Sequence, residues 1–275
     1  MYTQPSNKND AKPVTLTSLA KMRADGERIV CLTAYDASFA ALLDEAGVDV
    51  VLVGDSLGNV IQGHATTVPV TVDDVVYHSR AVARGLKRAF LMADMPFMSY
   101  PTPAIALQNA ARLMQEGGAK MVKLEGSGHQ AEIVRYLNEN DIPVCAHLGL
   151  RPQSVHKLGG FHVQGREAAA AKQMLRDAKI LEEAGADLIL LELVPAALAA
   201  KITAQARVPV IGIGAGKKVD GQILVLYDML DITPGRRPKF VRNFMAGAGS
   251  PTAGVAAYVK AVRDGSYPAA EHSFD

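Results

Sequence analysis

One pattern, written three times, constrains the fold of this chain more than any other feature. The sequence reads EAGVDVVLVGD at 45–55, EGGAKMVKLE at 116–125 and EAGADLILLE at 183–192. Each copy predicts a helix stopped by glycine, a strand of about five apolar-rich residues, and an acid at the end of the strand. Gly118 to Glu125 and Gly185 to Glu192 both span seven residues; Gly47 to Asp55 spans eight, with Gly54 as the extra one. Equal spacing from an equivalent stop sets the acids at similar depth. AFLMAD, ending at Asp94, repeats strand and acid without the same stop. Four acids, Asp55, Asp94, Glu125 and Glu192, are therefore expected at one rim, where barrel enzymes place their chemistry.

The rest of the chain extends the alternation. Strands are expected at Ile29–Thr33, Val50–Val53, Phe90–Ala93, Met121–Leu124, Val144–His147, Leu188–Leu191 and Pro209–Ile213, with an eighth around Ile223–Leu226. Between them lie amphipathic helices with their own punctuation. Ser38 is a candidate cap for a helix with the apolar stripe Phe39, Leu42, Leu43 and Ala46. Thr71 and Asp74 have capping-box spacing, and Thr102 precedes Pro103 at a helix start. Another helix is expected from about Ala168 to Ala184. Repeated βα order predicts a parallel sheet, closed as a barrel or doubly wound. A length of 275 residues with 49% hydrophobic side chains suits one (β/α)8 barrel. Residues 1–15 read as a loose tail and 16–275 as the barrel, with a helix near Thr17–Ala24 closing its bottom. The irregular stretch Gly149–Gly165 reads either as a lid over the active rim or as a plain surface loop.

Composition removes several classes of function. Lys and Arg total 29 against 28 Asp and Glu, a net charge of +1. That balance gives no electrostatic footing for nucleic acid or an anionic membrane. No apolar run reaches the length of a membrane span, and the first fifteen residues lack the apolar stretch of a signal peptide. Cys31 and Cys145 sit in apolar runs and read as small buried hydrophobes, neither a disulfide nor a thiolate metal site. A cytoplasmic protein is the expectation.

At the rim, each acid taken singly fits a structural role, but like charges gathered there repel. A divalent ion resolves the repulsion, and without a histidine–cysteine cluster for zinc, Mg²⁺ is the better match. Lys123 and Glu125 are two apart on one strand and share a face. Lys123 then fits a substrate carboxylate, a Schiff base, or a simple ion pair with Glu125. Glu192 stands between apolar residues, which raises its pKa as a general base for a C–H proton requires. An acid at a helix N-terminus ahead of Pro195 fits it equally well. His147 reads as a donor to substrate or, more commonly, a partner of a nearby carbonyl; Ser56 as a carboxylate binder or a cap. VIGIGAG at 210–216 departs from the dinucleotide fingerprint and fits a rim turn that lets substrate approach the backbone.

Several ordered segments resemble the ketopantoate hydroxymethyltransferase family: VGDSLG (53–58), GHATTVPVTVDDVVYHSRAV (63–82), LMADMPF (91–97), MVKLEG (121–126), HLGLRPQSV (147–155), LELVP (191–195), VIGIGAG (210–216) and DGQILV (220–225). The resemblance runs from about Leu16 to the closing EHSF. It implies a (β/α)8 barrel of the phosphoenolpyruvate/pyruvate-binding type and transfer of a hydroxymethyl group from 5,10-methylenetetrahydrofolate to 3-methyl-2-oxobutanoate, giving 2-dehydropantoate for pantothenate synthesis. It also implies Asp55, Asp94 and Glu125 as the Mg²⁺ site, and Asp55, Ser56, Asp94 and Lys123 as contacts of the 2-oxo acid. Glu192 is implied as the catalytic proton acceptor, with His147 beside it, and the assembly as a homo-oligomer, commonly a decamer. Nothing in the residues themselves points to folate. The rival readings are a Mg²⁺-dependent 2-oxo acid lyase on the same barrel, a Schiff-base aldolase acting through Lys123, and a silent metabolite-binding barrel.

Overall fold

The computed structural model describes residues 12–235 and 237–275. Eight strands run in chain order: β1 (Ile29–Thr33), β2 (Val50–Val53), β3 (Phe90–Asp94), β4 (Met121–Glu125), β5 (Val144–Gly149), β6 (Leu188–Glu192), β7 (Val210–Ile213) and β8 (Gly221–Leu224). Each is parallel to its neighbours, and β8 returns to β1, with Ile29 opposite Gly221 and Leu32 opposite Leu224. The sheet is therefore a closed barrel, and the doubly wound alternative is excluded. Helices cover the outside, which is why nearly every strand residue is buried on whichever face it points to.

The threefold echo folds as its spacing predicts. Gly47, Gly118 and Gly185 all take left-handed backbone (φ 87°, 78° and 105°) just beyond their helices, a conformation that costs glycine little. The acids do not sit at one level of hydrogen-bond register, however. Asp94 lies opposite Lys123, Glu125 opposite His147, and Glu192 opposite Gly149. The acid-bearing position thus climbs two residues from β3 to β4 and two more by β6, the stagger a closed barrel demands. A step of two preserves side-chain parity, so Asp94, Glu125 and Glu192 all keep the inward face.

Strands β3, β4 and β6 each run one residue further than expected, to Asp94, Glu125 and Glu192, β5 runs two further, to Gly149, and β7 starts one later, at Val210; two other departures have a structural reason. The cap of the helix Ala37–Glu45 is Asp36, whose carboxylate accepts from the Ser38 and Phe39 N–H groups at 2.8 and 2.9 Å; Ser38 lies inside the helix. The eighth strand begins at Gly221, two residues before its expected start. A Cβ at Gly221 would stand 2.4 Å from the Ile29 carbonyl oxygen. Close strand packing therefore selects the one residue that carries no strand signal. Thr71 and Thr102 cap their helices as expected. Thr71→Ala is expected to cost about 1 kcal/mol of stability, read from the midpoint of chemical denaturation.

The helix Leu16–Asp25 closes the bottom. Arg23 donates to Asp220 ahead of β8 (2.9 Å) and to the Thr203 carbonyl (2.9 Å), and Leu19 is buried. Of the expected tail, residues 1–11 lie outside the described residues; Val14 is buried and donates to the Arg88 carbonyl at 2.8 Å, and Thr15 caps the helix. These contacts tie the chain to the end of the barrel opposite the acids.

Candidate active site

The carboxyl ends of the strands open into a cavity of about 640 Å³ whose wall includes Asp55, Ser56, Asp94, Lys123, Glu125, His147 and Glu192. All seven residues singled out by sequence are brought together. Lys123 forms a close ion pair with Asp94, not with Glu125, although both acids share its side of the barrel. The Asp55 backbone N–H donates to Asp94 Oδ2 at 2.8 Å. His147 points Nδ1 at Lys123 Nζ (3.4 Å) and at Glu125 Oε1 (3.6 Å), and Nε2 at Glu192 Oε2 (3.3 Å). The Ser56 hydroxyl makes no cap; it meets the Tyr35 hydroxyl at 2.8 Å.

Burial sets the electrostatics. It pushes the Glu192 carboxyl up to about 7, with Lys123 pulling the other way. Asp55 is likewise raised to about 7, by burial first and by Asp94 second. Glu125 is raised well above the usual carboxylate range by burial and then by Asp55. Burial alone opposes the Lys123 charge, but Asp94, Glu125 and Asp55 outweigh it and hold the ammonium protonated. Burial and then Lys123 push His147 well below its usual value, so the ring is neutral. With Nδ1 accepting from Lys123, its proton belongs on Nε2, facing Glu192.

Gly149 fixes how Glu192 enters this group. Its backbone is left-handed (φ 95°), and a Cβ there would stand 2.2 Å from the Glu192 carbonyl oxygen, which accepts from Leu150 N–H at 2.8 Å. Gly149→Ala is expected to displace Glu192 and lower turnover about 10²-fold, with circular dichroism showing the barrel retained.

The family model for ketopantoate hydroxymethyltransferase matches residues 13–270. The chain belongs to the ketopantoate hydroxymethyltransferase family. It is 62% identical to a 3-methyl-2-oxobutanoate hydroxymethyltransferase of Alkalilimnicola ehrlichii over 96% of this chain and 95% of that one. It is 57% identical to the enzyme of that name from Burkholderia multivorans, over 99% of each. Among solved structures, a phosphonopyruvate hydrolase in complex with oxalate and Mg²⁺ superposes with a TM-score of 0.59 at 14% identity, covering 94% of this chain and 92% of that one. A 2,3-dimethylmalate lyase of the phosphoenolpyruvate mutase/isocitrate lyase superfamily gives 0.58 at 16%, over 76% and 80%. These likenesses establish the barrel type. As a member of its family the chain is an enzyme, a hydroxymethyltransferase.

Seen as a family site, the donor set suits a hard cation. Among the described residues no three His, Cys, Asp or Glu side chains form a ready-made metal cluster. Mg²⁺ needs none, because one or two carboxylates suffice and water and substrate complete its shell. Glu125 Oε1 is buried without a hydrogen-bond partner, and Asp55 and Asp94 line the same cavity, so oxygen donors for such a shell are present. Cys31 and Cys145 are buried in β1 and β5, away from the cavity wall, their thiols pushed up by burial.

Sequence reasoning missed Tyr35, Tyr100 and Gln153, which hold the acids and Ser56, and Phe161, Phe240 and Phe274, which line the outer cavity. The 149–165 segment carries short helical turns at Pro152–Ser154 and Val155–Leu158. Around VIGIGAG, what approaches the backbone is protein: a Cβ at Gly214 would meet Phe240 and Phe274, and one at Gly216 would meet Ala196 at 2.6 Å. Gly214 thus admits Phe240 and Phe274 to the rim, and Gly216 admits Ala196, the first residue of the helix Ala196–Gln205.

Proposed function

We propose that this enzyme transfers a hydroxymethyl group from 5,10-methylenetetrahydrofolate to 3-methyl-2-oxobutanoate, forming 2-dehydropantoate, with Mg²⁺ held at Asp55, Asp94 and Glu125. The observation that carries the reading is the meeting of those three acids, Lys123 and Glu192 in one cavity at the carboxyl ends of the strands. The names of relatives up to 62% identical support the substrate. A barrel neighbour described in complex with oxalate and Mg²⁺ is in keeping with a small acid substrate and a metal.

Mg²⁺, when bound, supplies Lewis-acid stabilisation of charge developing on the keto oxygen. The chain's own residues do the rest. Lys123, kept charged, faces the substrate carboxylate, and Ser56 on Tyr35 offers it a hydroxyl. Glu192 takes the C3 proton, which a carboxyl raised to about 7 does more readily than an ordinary one. The neutral His147 ring stands beside the Glu192 carboxylate, with Nε2 3.3 Å from Oε2. The C3 electron pair then forms the new C–C bond to the one-carbon unit and water supplies the hydroxyl; both C–N bonds of the folate's methylene bridge break, and the two nitrogens take up the C3 proton and one proton of the water. The outer cavity, walled by Phe161, Phe240 and Phe274, gives apolar faces on which a flat pterin ring can stack.

The folate, the cytoplasmic setting and a homo-oligomer of decamer type belong to the same reading. Among the described residues no helix is long and apolar enough to cross a membrane.

The test is exchange of the C3 proton of 3-methyl-2-oxobutanoate in D₂O, followed by NMR with Mg²⁺ and without folate. Exchange is expected, and it is expected to stop on chelation. Because only the Glu192 carboxylate accepts a proton, the rate should rise with pH and level off above about 7. Exchange that persists in chelator removes the metal from the mechanism.

A further inference from the structure

We propose that Gln153, set by Tyr100, is a positioning residue that orients Asp55 and Glu125 toward the cation and couples the 149–165 segment to its binding. The inference rests on the reading of those two acids as metal ligands. Gln153 lies on the turn Pro152–Ser154 and is buried. Its Nε2 donates to Asp55 Oδ2 at 2.8 Å and to the Met95 carbonyl at 3.0 Å. Its backbone N–H donates to Glu125 Oε2 at 3.1 Å. Its Oε1 accepts from the Tyr100 hydroxyl at 2.6 Å.

The sense of the amide is fixed by these partners. Turned over, Oε1 would face the Asp55 carboxylate and the Met95 carbonyl, two acceptors against an acceptor. Tyr100 has one proton to give, and it goes to Oε1. One residue thus grips an oxygen of each acid, by side chain on Asp55 and by backbone on Glu125, and the other Glu125 oxygen is left without a hydrogen-bond partner.

A side chain that merely filled this space would serve as well without its amide. Methionine there keeps the volume but leaves buried acceptors unpaired. The donors hold one oxygen of each acid in place, and a cation bound to the acids holds them likewise. Metal and loop therefore stabilise one another's placement, and the coupling is reciprocal by linkage.

The experiment titrates Mn²⁺ into the full chain, reading the free ion by electron paramagnetic resonance, for wild type, Gln153→Met and Tyr100→Phe. Amide hydrogen exchange is followed over 149–165 with and without Mn²⁺. Partners of this kind alter metal affinity about 10–100-fold. Gln153→Met is expected to weaken Mn²⁺ binding by that factor and Tyr100→Phe by less. Mn²⁺ is expected to slow exchange in the segment in wild type and to lose that effect in Gln153→Met. Equal affinity in wild type and Gln153→Met, or equal slowing in both, overturns the positioning role. Should Gln153→Met fail to fold, Tyr100→Phe is judged by the same criterion. A wild type that binds no Mn²⁺ overturns the metal reading itself, and this inference with it.

Discussion

Glu192→Gln is expected to reduce C3 proton exchange and overall turnover by about 10²–10⁴-fold, the range a positioned general base contributes. The amide keeps size and shape, so the loss isolates proton transfer from packing. NMR exchange in D₂O measures it without any folate step. Substrate affinity should hold, because the acid-side contacts of Lys123, Ser56 and Asp94 are untouched. Retained exchange in Glu192→Gln would reassign the base.

The same substitution has a second expected effect, on stability. The folded Glu192 carboxyl titrates at about 7, above the unfolded value of roughly 4.3. Across that window the native state binds more protons than the unfolded one, so this group's contribution falls as pH rises. At pH 8 it is a buried charge held at a cost, and the amide that replaces it in Glu192→Gln is neutral. The Glu192→Gln protein should therefore melt higher than wild type at pH 8, with the gap closing near pH 4. Thermal scans at both values check it. An enzyme that loses activity and gains stability through one atom pair shows where its function strains its fold.

How much of this was legible in the sequence follows from how each residue is held. Asp94, Glu125 and Glu192 end strands, and strands announce themselves by apolar runs bounded by helix stops. Their depth then follows from counting. Lys123 came with Glu125 by parity, although its ion-pair partner did not: register across the barrel, not spacing along it, sets Lys123 against Asp94. Gly221 concealed the start of β8, because the close approach of Ile29 requires the residue that propensity discounts. Ser38 drew attention from Asp36, an equally good cap two residues earlier. Gln153 and Tyr100 carried no signal at all. Each acts through contacts distant in sequence, 98 residues for Gln153 to Asp55 and 25 for Tyr100 to Glu125, and irregular segments have no period from which to infer direction.

Lys123→Met is expected to destabilise the barrel by about 3–5 kcal/mol, the cost of stripping one partner from a buried ion pair. Lys123 and Asp94 are both almost wholly inaccessible, with side-chain exposures of 5 and 2%, so water cannot take the place of the ammonium. The methionine matches the stem in volume, which leaves charge as the difference. Asp94→Asn added to Lys123→Met should recover part of the loss, since the carboxylate in direct contact with the ammonium is then neutralised as well; the double-mutant cycle in urea gives the coupling. Borohydride with substrate separates the two chemical roles of the lysine. A Schiff-base amine needs its proton held loosely, whereas three acids hold this one tightly. No reductively trapped adduct should form on wild type. Mass spectrometry showing substrate covalently fixed to Lys123 would overturn its role as a charge partner and move the chemistry to the aldolase route.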